Sequence, residues 1–515
     1  MSSYNNYLYN DRTDTFYILI YKLGSGSYSN VWFSLEFENI HSNIKNKKQL
    51  KINPRALKIH HEECYEQGET EMEINKYILD NKKKSLYINY PLSSFVYDET
   101  YFIVVYDVAI GSLYDVMKLF NKQLPIEFVN LIVPQLIKPV EFIHRCKFIH
   151  TDIKPENYLL MGLDKLQKDI VEYSLEYNIG DKLKKIGSLK KITYYDLENN
   201  KIISDQLCKF LKLVSKNFGL KNNILTNDTD NEDDDNDNED EDDDDDNISL
   251  NSTQSIQSTH SFYSIISDES KEKDYETVSS YDSRDDEYEL SIDNFHTDKL
   301  IRILFKKDSN KYNKINNQQK ILKYTQEKNK ELEKKQKYLL ETYFSNPVVK
   351  LTDFGTMIRF GETNGTIQTR YYRAPEIILG HKFDEKIDLW SLGCSIYELA
   401  TGKILFYTCK DTMINKYDVD LINIRMMFEK IEPEQKIMLL KSIYKSNRKK
   451  YFINRNGCLN YFKKIDNKIW TCDFENNNSS SLLQLTSPSL EPNNKVRIVK
   501  IVKNFLKIDP KCRNF

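Results

Sequence analysis

The sequence predicts an α+β chain, with strands gathered near the N-terminus and helices after them, and three observations predict it. Short runs of β-branched and aromatic residues recur at 16–23, 31–33, 56–59 and 101–106. Apolar residues then return at helical spacing over 126–143, and a further buried helix begins at Asp388. Between these helices lies a stretch that matches neither pattern: fifteen of the nineteen residues from 228 to 246 are Asp or Glu, and 248–270 is rich in Ser and Thr. Such sequence buries too little apolar surface to offset its ordering entropy, so 161–345 is expected to be a long, largely disordered insert. The net charge of −3 over 515 residues therefore conceals an acidic insert and a net basic remainder, and average charge says little about partners.

Composition removes several classes. The eight cysteines are scattered without a C-x-x-C pair, which argues against zinc and fits a reduced compartment. The N-terminus has no basic region leading into an apolar one, and no run approaches the ~18 apolar residues of a membrane span. A soluble intracellular chain is expected, cytoplasmic or nuclear, with no membrane partner.

In order, residues 1–12 read as a polar tail. A strand at 16–23 turns at Gly24-Ser25-Gly26 and returns through Val31, a glycine-cornered hairpin. Two readings stay open for it: an ordinary turn, or a flap whose backbone N–H groups approach phosphates, since Gly24 and Gly26 have no side chain in the way. Residues 39–53 look like a lengthened loop before the segment that ends Ala56-Leu57-Lys58-Ile59. Residues 69–78 read as an acidic amphipathic helix, in which Glu73 lies between the rows Met72/Tyr77 and Ile74/Ile78, while Glu69 and Glu71 read as solvated charges. The unbroken apolar run 101–106 is a buried strand, left through Asp107, Val108 and Ala109. Pro134 and Pro139 fall inside the helical pattern at 126–143. Each costs about 3 kcal/mol in a helix interior, so a kink or a late start is expected. Leucines recur at mixed helical spacing over 164–218, and 316–344 reads as one charged, solvated helix, because sustained heptads are lacking.

The chemistry is concentrated in two segments almost two hundred residues apart. His150-Thr151-Asp152-Ile153-Lys154-Pro155-Glu156-Asn157 packs an acid, a cation and an amide between the apolar anchors Ile149 and Leu159-Leu160, and Asp353-Phe354-Gly355 follows a short strand. Together with the flap, Lys58, Ala374-Pro375-Glu376 and Asp388-Leu389-Trp390, these are six motifs in one order. In this order they resemble those of eukaryotic-type Ser/Thr protein kinases. Tyr372-Arg373-Ala374-Pro375-Glu376 and the extra segment 410–470 resemble the group of cyclin-dependent, MAP, DYRK, CLK and SR-protein kinases. The H-T-D-I-K-P-E-N spelling, Ser29 in place of a third glycine, Ile367-Gln368-Thr369-Arg370 and the acidic spacer are most similar to SR-protein kinases, with CLK and DYRK enzymes close behind.

That resemblance implies a two-lobed kinase fold: a β-rich small lobe and hinge over 13–110, a helical large lobe over 111–160 and 346–515, and the insert between. It implies ATP and Mg²⁺ as cofactors and protein substrates with Ser or Thr acceptors, acted on by a monomer that takes no nucleic acid. Leu23, Gly24, Ser25, Gly26, Ser27, Tyr28, Ser29, Asn30 and Val31 would form the flap over ATP, with Ala56 and Leu159 joining Val31 around the adenine. Lys58, oriented by Glu73, would hold the α- and β-phosphates. Tyr106 would be the gatekeeper, with the backbone of Asp107 and Ala109 at the adenine edge. Asp152 would accept the substrate proton, Lys154 would balance charge, Thr369 would bond both, and Asn157 and Asp353 would ligate Mg²⁺. His150, Phe354 and Tyr77 would stack between the lobes, Asp388 would anchor the catalytic loop, and Glu376 would pair with Arg513. Thr151 stands where most kinases have an Arg that binds phosphate in the activation segment, so that use of Thr356, Thr363 or Thr366 as phosphate carriers would lack its usual partner. Two alternatives keep the same sequence features: a pseudokinase scaffold, and an interaction protein that acts through the acidic insert.

Overall fold

The computed structural model describes residues 7–10, 12–26, 28–38, 51–81, 84–182, 201–220, 311–362, 367–407, 416–453, 462–465, 468–471 and 492–515. Ser27, the loop 39–50, the acidic run 228–246, the Ser/Thr-rich 248–270 and the threonines 363 and 366 lie outside the described residues.

The small lobe is a six-stranded antiparallel sheet in the order β1-β2-β3-β4-β6-β5. Its strands are β1 (Tyr7–Asn10), β2 (Thr15–Ser25), β3 (Ser29–Glu38), β4 (Ile52–His60), β5 (Ser93–Tyr97) and β6 (Tyr101–Asp107). Helix α1 (Tyr65–Asn81) lies between β4 and β5 in sequence and packs against β4 and β6. The edge strand β1 corrects the expectation of a polar tail over 1–12. Tyr7 and Leu8 point to opposite faces and both are buried, because this sheet is covered on both sides.

One cover comes from the insert's own flanks. α4 (Lys165–Glu176) and α5 (Lys201–Phe218) bury Ile170, Leu207, Phe210, Leu211 and Val214 against Phe16, Ile18, Ile20, Phe33, Leu35 and Phe37 of β2 and β3. The leucine-type spacing over 164–218 is thus the apolar stripe of two amphipathic helices.

The large lobe is built on α2 (Leu113–Leu119), α3 (Ile126–Arg145), α6 (Lys311–Thr342), α7 (Lys386–Thr401), α8 (Lys416–Lys430), α9 (Pro433–Lys445) and α10 (Pro492–Phe505). Helix α3 starts at Ile126 directly after Pro125 and runs on through Pro134 and Pro139, so it does not begin late. Helix α6 exists as expected but is not solvated throughout: Leu339 is buried in the core, and the nearby Phe344 stacks on Phe128 at 4.0 Å between centroids. The short strands β7 (Ala109–Ser112), β9 (Tyr158–Met161) and β10 (Val349–Leu351) pair antiparallel, and β8 (Phe148–Ile149) pairs with β11 (Ile358–Arg359). The insert leaves after β9 and returns into β10, its neighbour, so the ladder is continuous across it.

Candidate active site

The loop from His150 to Asn157 hangs between β8 and β9, and its apolar members do the anchoring: Ile149, Ile153 and Tyr158 are fully buried. Its backbone is held from below by Asp388, on α7. That carboxylate accepts the N–H groups of His150 (2.7 Å) and Thr151 (2.9 Å) and lies 2.9 Å from His144 Nε2. Because the loop is fastened there, Thr151 can hold a left-handed backbone (φ 70°), as Asp353 does opposite it (φ 67°). Such strain persists only where surrounding structure over-determines it. The Thr151 hydroxyl donates to the carbonyl of Thr356 at 2.8 Å, tying the loop to the segment after Asp353. His150 Nε2 lies 3.2 Å from the Thr352 carbonyl, which can only accept, so Nε2 carries the proton and Nδ1 accepts from the Asp152 N–H at 3.3 Å. The His150 ring meets Phe354 edge-on at 5.7 Å.

Three side chains meet at Asp152. Lys154 Nζ is 2.8 Å from Oδ2, the Thr369 hydroxyl donates to Oδ1 at 2.6 Å and accepts from Lys154 at 3.1 Å, and Asn157 Nδ2 donates to the Asp152 carbonyl (2.7 Å) and to Oδ2 (3.2 Å). Burial pushes the Asp152 pKa up, but Lys154 and Thr369 outweigh it, and the carboxyl sits below its ordinary range. It is therefore an ionised base with its charge already balanced. Thr369 arrives there through Gln368, which the sequence placed in a motif without giving it a role. Gln368 adopts φ 67°, and its buried amide donates to Ile387 O and Ser391 Oγ while accepting from the Ala374 N–H.

Across the cleft, Lys58 Nζ lies 2.8 Å from Glu71 Oε2 and 3.1 Å from Asp353 Oδ1. Burial would lower the Lys58 pKa, but Asp353 and Glu71 more than offset it and keep the ammonium charged. Glu71, not Glu73, is thus the partner of Lys58, which corrects the expectation from sequence. Residues 71, 74, 75 and 78 share one face of α1 at i, i+3, i+4 and i+7. That face turns inward: Glu71, Asn75 and Ile78 are buried while Glu73 is exposed. The same spacing, applied to Ile74 and Ile78, was the signal available in the sequence. Tyr77 also departs from expectation. It is 40% exposed, its ring lies against Phe148, and the Arg359 guanidinium sits 4.8 Å from its centroid.

The roof of the cleft is made by Ala56, Val104 and Tyr106, with Leu23 and Val31 packed against them, and Leu159 is half-buried in β9 below. At Gly24 an added Cβ would meet nothing within 4 Å, and at Gly26 only Ser29 O at 3.8 Å. Among the described residues nothing therefore requires glycine there, whereas a phosphate laid along the backbone would. Tyr28 is exposed, and Ser25 donates to Asn30 across the hairpin at 2.7 Å. At the hinge, Asp107 ends β6 beside the half-buried Arg55 (3.4 Å), and the carbonyl of Ala109 lies 3.4 Å from Gln167 Nε2 of α4. Among the described residues no three His, Cys, Asp or Glu side chains could hold a metal unaided. Asp353 supplies carboxylate oxygens, and the Asn157 amide, whose Nδ2 is used on Asp152, has an oxygen as well; oxygen donors of this kind fit a hard cation sharing the rest of its shell with phosphate.

The protein kinase domain family model matches residues 17–171 and 333–513. A serine/threonine-protein kinase of Acanthamoeba polyphaga mimivirus is 28% identical over 488 residues, 91% of this chain and 79% of the relative. The serine/threonine-protein kinase SRPK of Physarum polycephalum is 39% identical over 120 residues, 23% of this chain and 26% of its own, and prpf4B of Dictyostelium discoideum is 43% identical over 101 residues, 19% and 11%. With a buried carboxylate paired to an ammonium and a Lys–Glu–Asp triad facing each other across the cleft, and with that match over both lobes, the chain belongs to the protein kinase family.

Proposed function

We propose that this chain transfers the γ-phosphate of ATP to Ser or Thr hydroxyls of proteins, with Mg²⁺, in the manner of SR-protein kinases, and that Arg/Ser-rich segments are among its substrates. The observation that carries this is the triangle Asp152–Lys154–Thr369. Asp152 is ionised and positioned to accept the proton of an incoming hydroxyl. Lys154 offsets the charge that builds on the transferring group, and Thr369 keeps both side chains in one plane of approach. Lys58, fixed by Glu71, holds the α- and β-phosphates of the nucleotide. Asn157 and Asp353 would hold the cation, which when bound neutralises phosphate charge. The Arg/Ser-rich preference is supported by the similarity to SRPK and by Ile367-Gln368-Thr369-Arg370. The chain is expected to work in the cytoplasm or nucleus as a monomer; among the described residues no helix is long and apolar enough to cross a membrane.

The test is phosphate transfer by the purified full chain to Ser, Thr and Tyr peptides, with and without flanking arginines. Asp152→Asn should lower the rate by about 10²- to 10⁴-fold, the usual worth of a general base, while nucleotide binding is retained. Undiminished transfer by that variant would refute the assignment of Asp152.

A further inference from the structure

Glu71 is a buried carboxylate with two oxygens to satisfy, and Lys58 takes only one. Oε2 faces Lys58 at 2.8 Å, with His60 Nε2 at 3.7 Å, while Oε1 accepts the Tyr106 hydroxyl at 2.7 Å. Glu71 is 1% exposed and Tyr106 5%, so water cannot take over either bond. We propose that Tyr106 is a positioning residue for phosphate transfer: its hydroxyl fixes the Glu71 carboxylate, and through it the direction from which Lys58 meets the nucleotide. The inference rests on the kinase reading above and deepens it.

The sheet register makes this more than a chance contact. Ala56 pairs with Tyr106 and Lys58 with Val104 across β4 and β6, so Lys58 and Tyr106 stand on one face of the sheet and reach Glu71 from the same side. Burial and the nearby Glu71 charge keep the phenol protonated, so it can act as a donor throughout the working range. One turn earlier on α1, Gly68 brings the helix backbone onto the sheet. A Cβ there would lie 2.5 Å from Phe102 Cδ1 and 2.9 Å from His60 Nδ1. His60 Nδ1 is 3.1 Å from the Phe102 carbonyl and so must donate to it. The helix is therefore seated closely at Gly68 and latched at Glu71. An apolar residue at 106 would release the latch and leave Oε1 buried without a donor.

The experiment is a double-mutant cycle with Tyr106→Phe, which keeps the ring, and Glu71→Gln, read as kcat and KM for ATP and, separately, as the denaturant midpoint of unfolding. Tyr106→Phe alone should lower kcat/KM for ATP by roughly tenfold, the worth of a hydrogen bond to a charged group. On the Glu71→Gln background the same change should cost less than about twofold, because the path through Glu71 is already gone. KM for the acceptor peptide should not move. Full activity in Tyr106→Phe, equal losses on both backgrounds, or coupling seen in unfolding but not in kcat/KM would each overturn the positioning role. A wild-type chain that transfers no phosphate would instead refute the kinase reading itself.

Discussion

Glu71 and Glu73 are two residues apart on one helix, and only the first has left water. Three side chains of the loop 150–157 were legible in the sequence because their spacing is local: a turn of fixed length must bring Asp152, Lys154 and Asn157 together whatever surrounds it. The choice among the acids of α1 depends on which face meets β4 and β6, which local spacing does not determine. The Glu71 pKa is displaced accordingly: burial raises it, but the Lys58 ammonium and the Tyr106 hydroxyl hold it down to about 2. Because that lies below the unfolded value, the stability it contributes is complete above about pH 5 and is lost as pH falls toward 2. Glu71→Gln should therefore cost a few kcal/mol near neutral pH, since Lys58 is left with a neutral partner. The gap to wild type should narrow below about pH 4.5, measured by urea unfolding across pH. Glu73→Gln should be within about 0.5 kcal/mol of wild type at every pH, as for exposed sites generally.

At the scale of elements, the helices that flank the insert behave differently from its acidic centre. Phe210 on α5 is fully buried among Phe33, Phe37 and the tyrosines 173 and 177. Phe210→Ala should destabilise the small lobe by about 3–5 kcal/mol, the range for a buried aromatic, seen as a lower melting temperature. Deleting 225–279 removes none of the described core, and the initial rate should stay within about twofold. Loss of soluble expression on that deletion would show that the acidic centre is structural. The strands β2, β3, β4 and β6 and the helices α1, α3 and α6 were legible from periodicity. The strand β1 was not, because Tyr-Leu-Tyr-Asn alternates apolar residues onto both faces and looks like no half-buried strand until α4 and α5 supply the second cover.

For the whole molecule, the two lobes meet through Lys58–Asp353, and the large lobe is closed by Arg513. That guanidinium is fully buried and makes two bonds to Glu376, with the carbonyls of Lys386, Lys507 and Ile508 taking the rest. The expected pair of Glu376 and Arg513 thus joins residues 137 apart in sequence. At the cleft, the Thr151 hydroxyl already bonds the segment after Asp353 without any charge. Phosphatase treatment of the purified enzyme should accordingly leave its initial rate unchanged. A collapse that returns with phosphate on Thr363 or Thr366 would show that the segment needs modification.

The clasp between Leu163 and Tyr343 has a consequence for what the gene can tolerate. The Tyr343 hydroxyl accepts from the Leu163 N–H at 3.1 Å and donates to its carbonyl at 2.8 Å, and Tyr338 donates to the same carbonyl at 3.2 Å. Together with β9 and β10, these bonds make the point of exit and the point of return a single seam. Once a seam is sewn, the thread outside it hardly matters: doubling a flexible closed loop costs only about 0.6 kcal/mol, so insertion and deletion there are nearly neutral over wide limits. The peptide connection itself should be dispensable. Two separately made pieces, 1–220 and 311–515, should copurify and recover transfer. Gly162 (φ +132°) lies against the Tyr343 ring, where a Cβ would come within 2.5 Å, so Gly162→Val should part the pieces at concentrations where the wild-type pair stays joined.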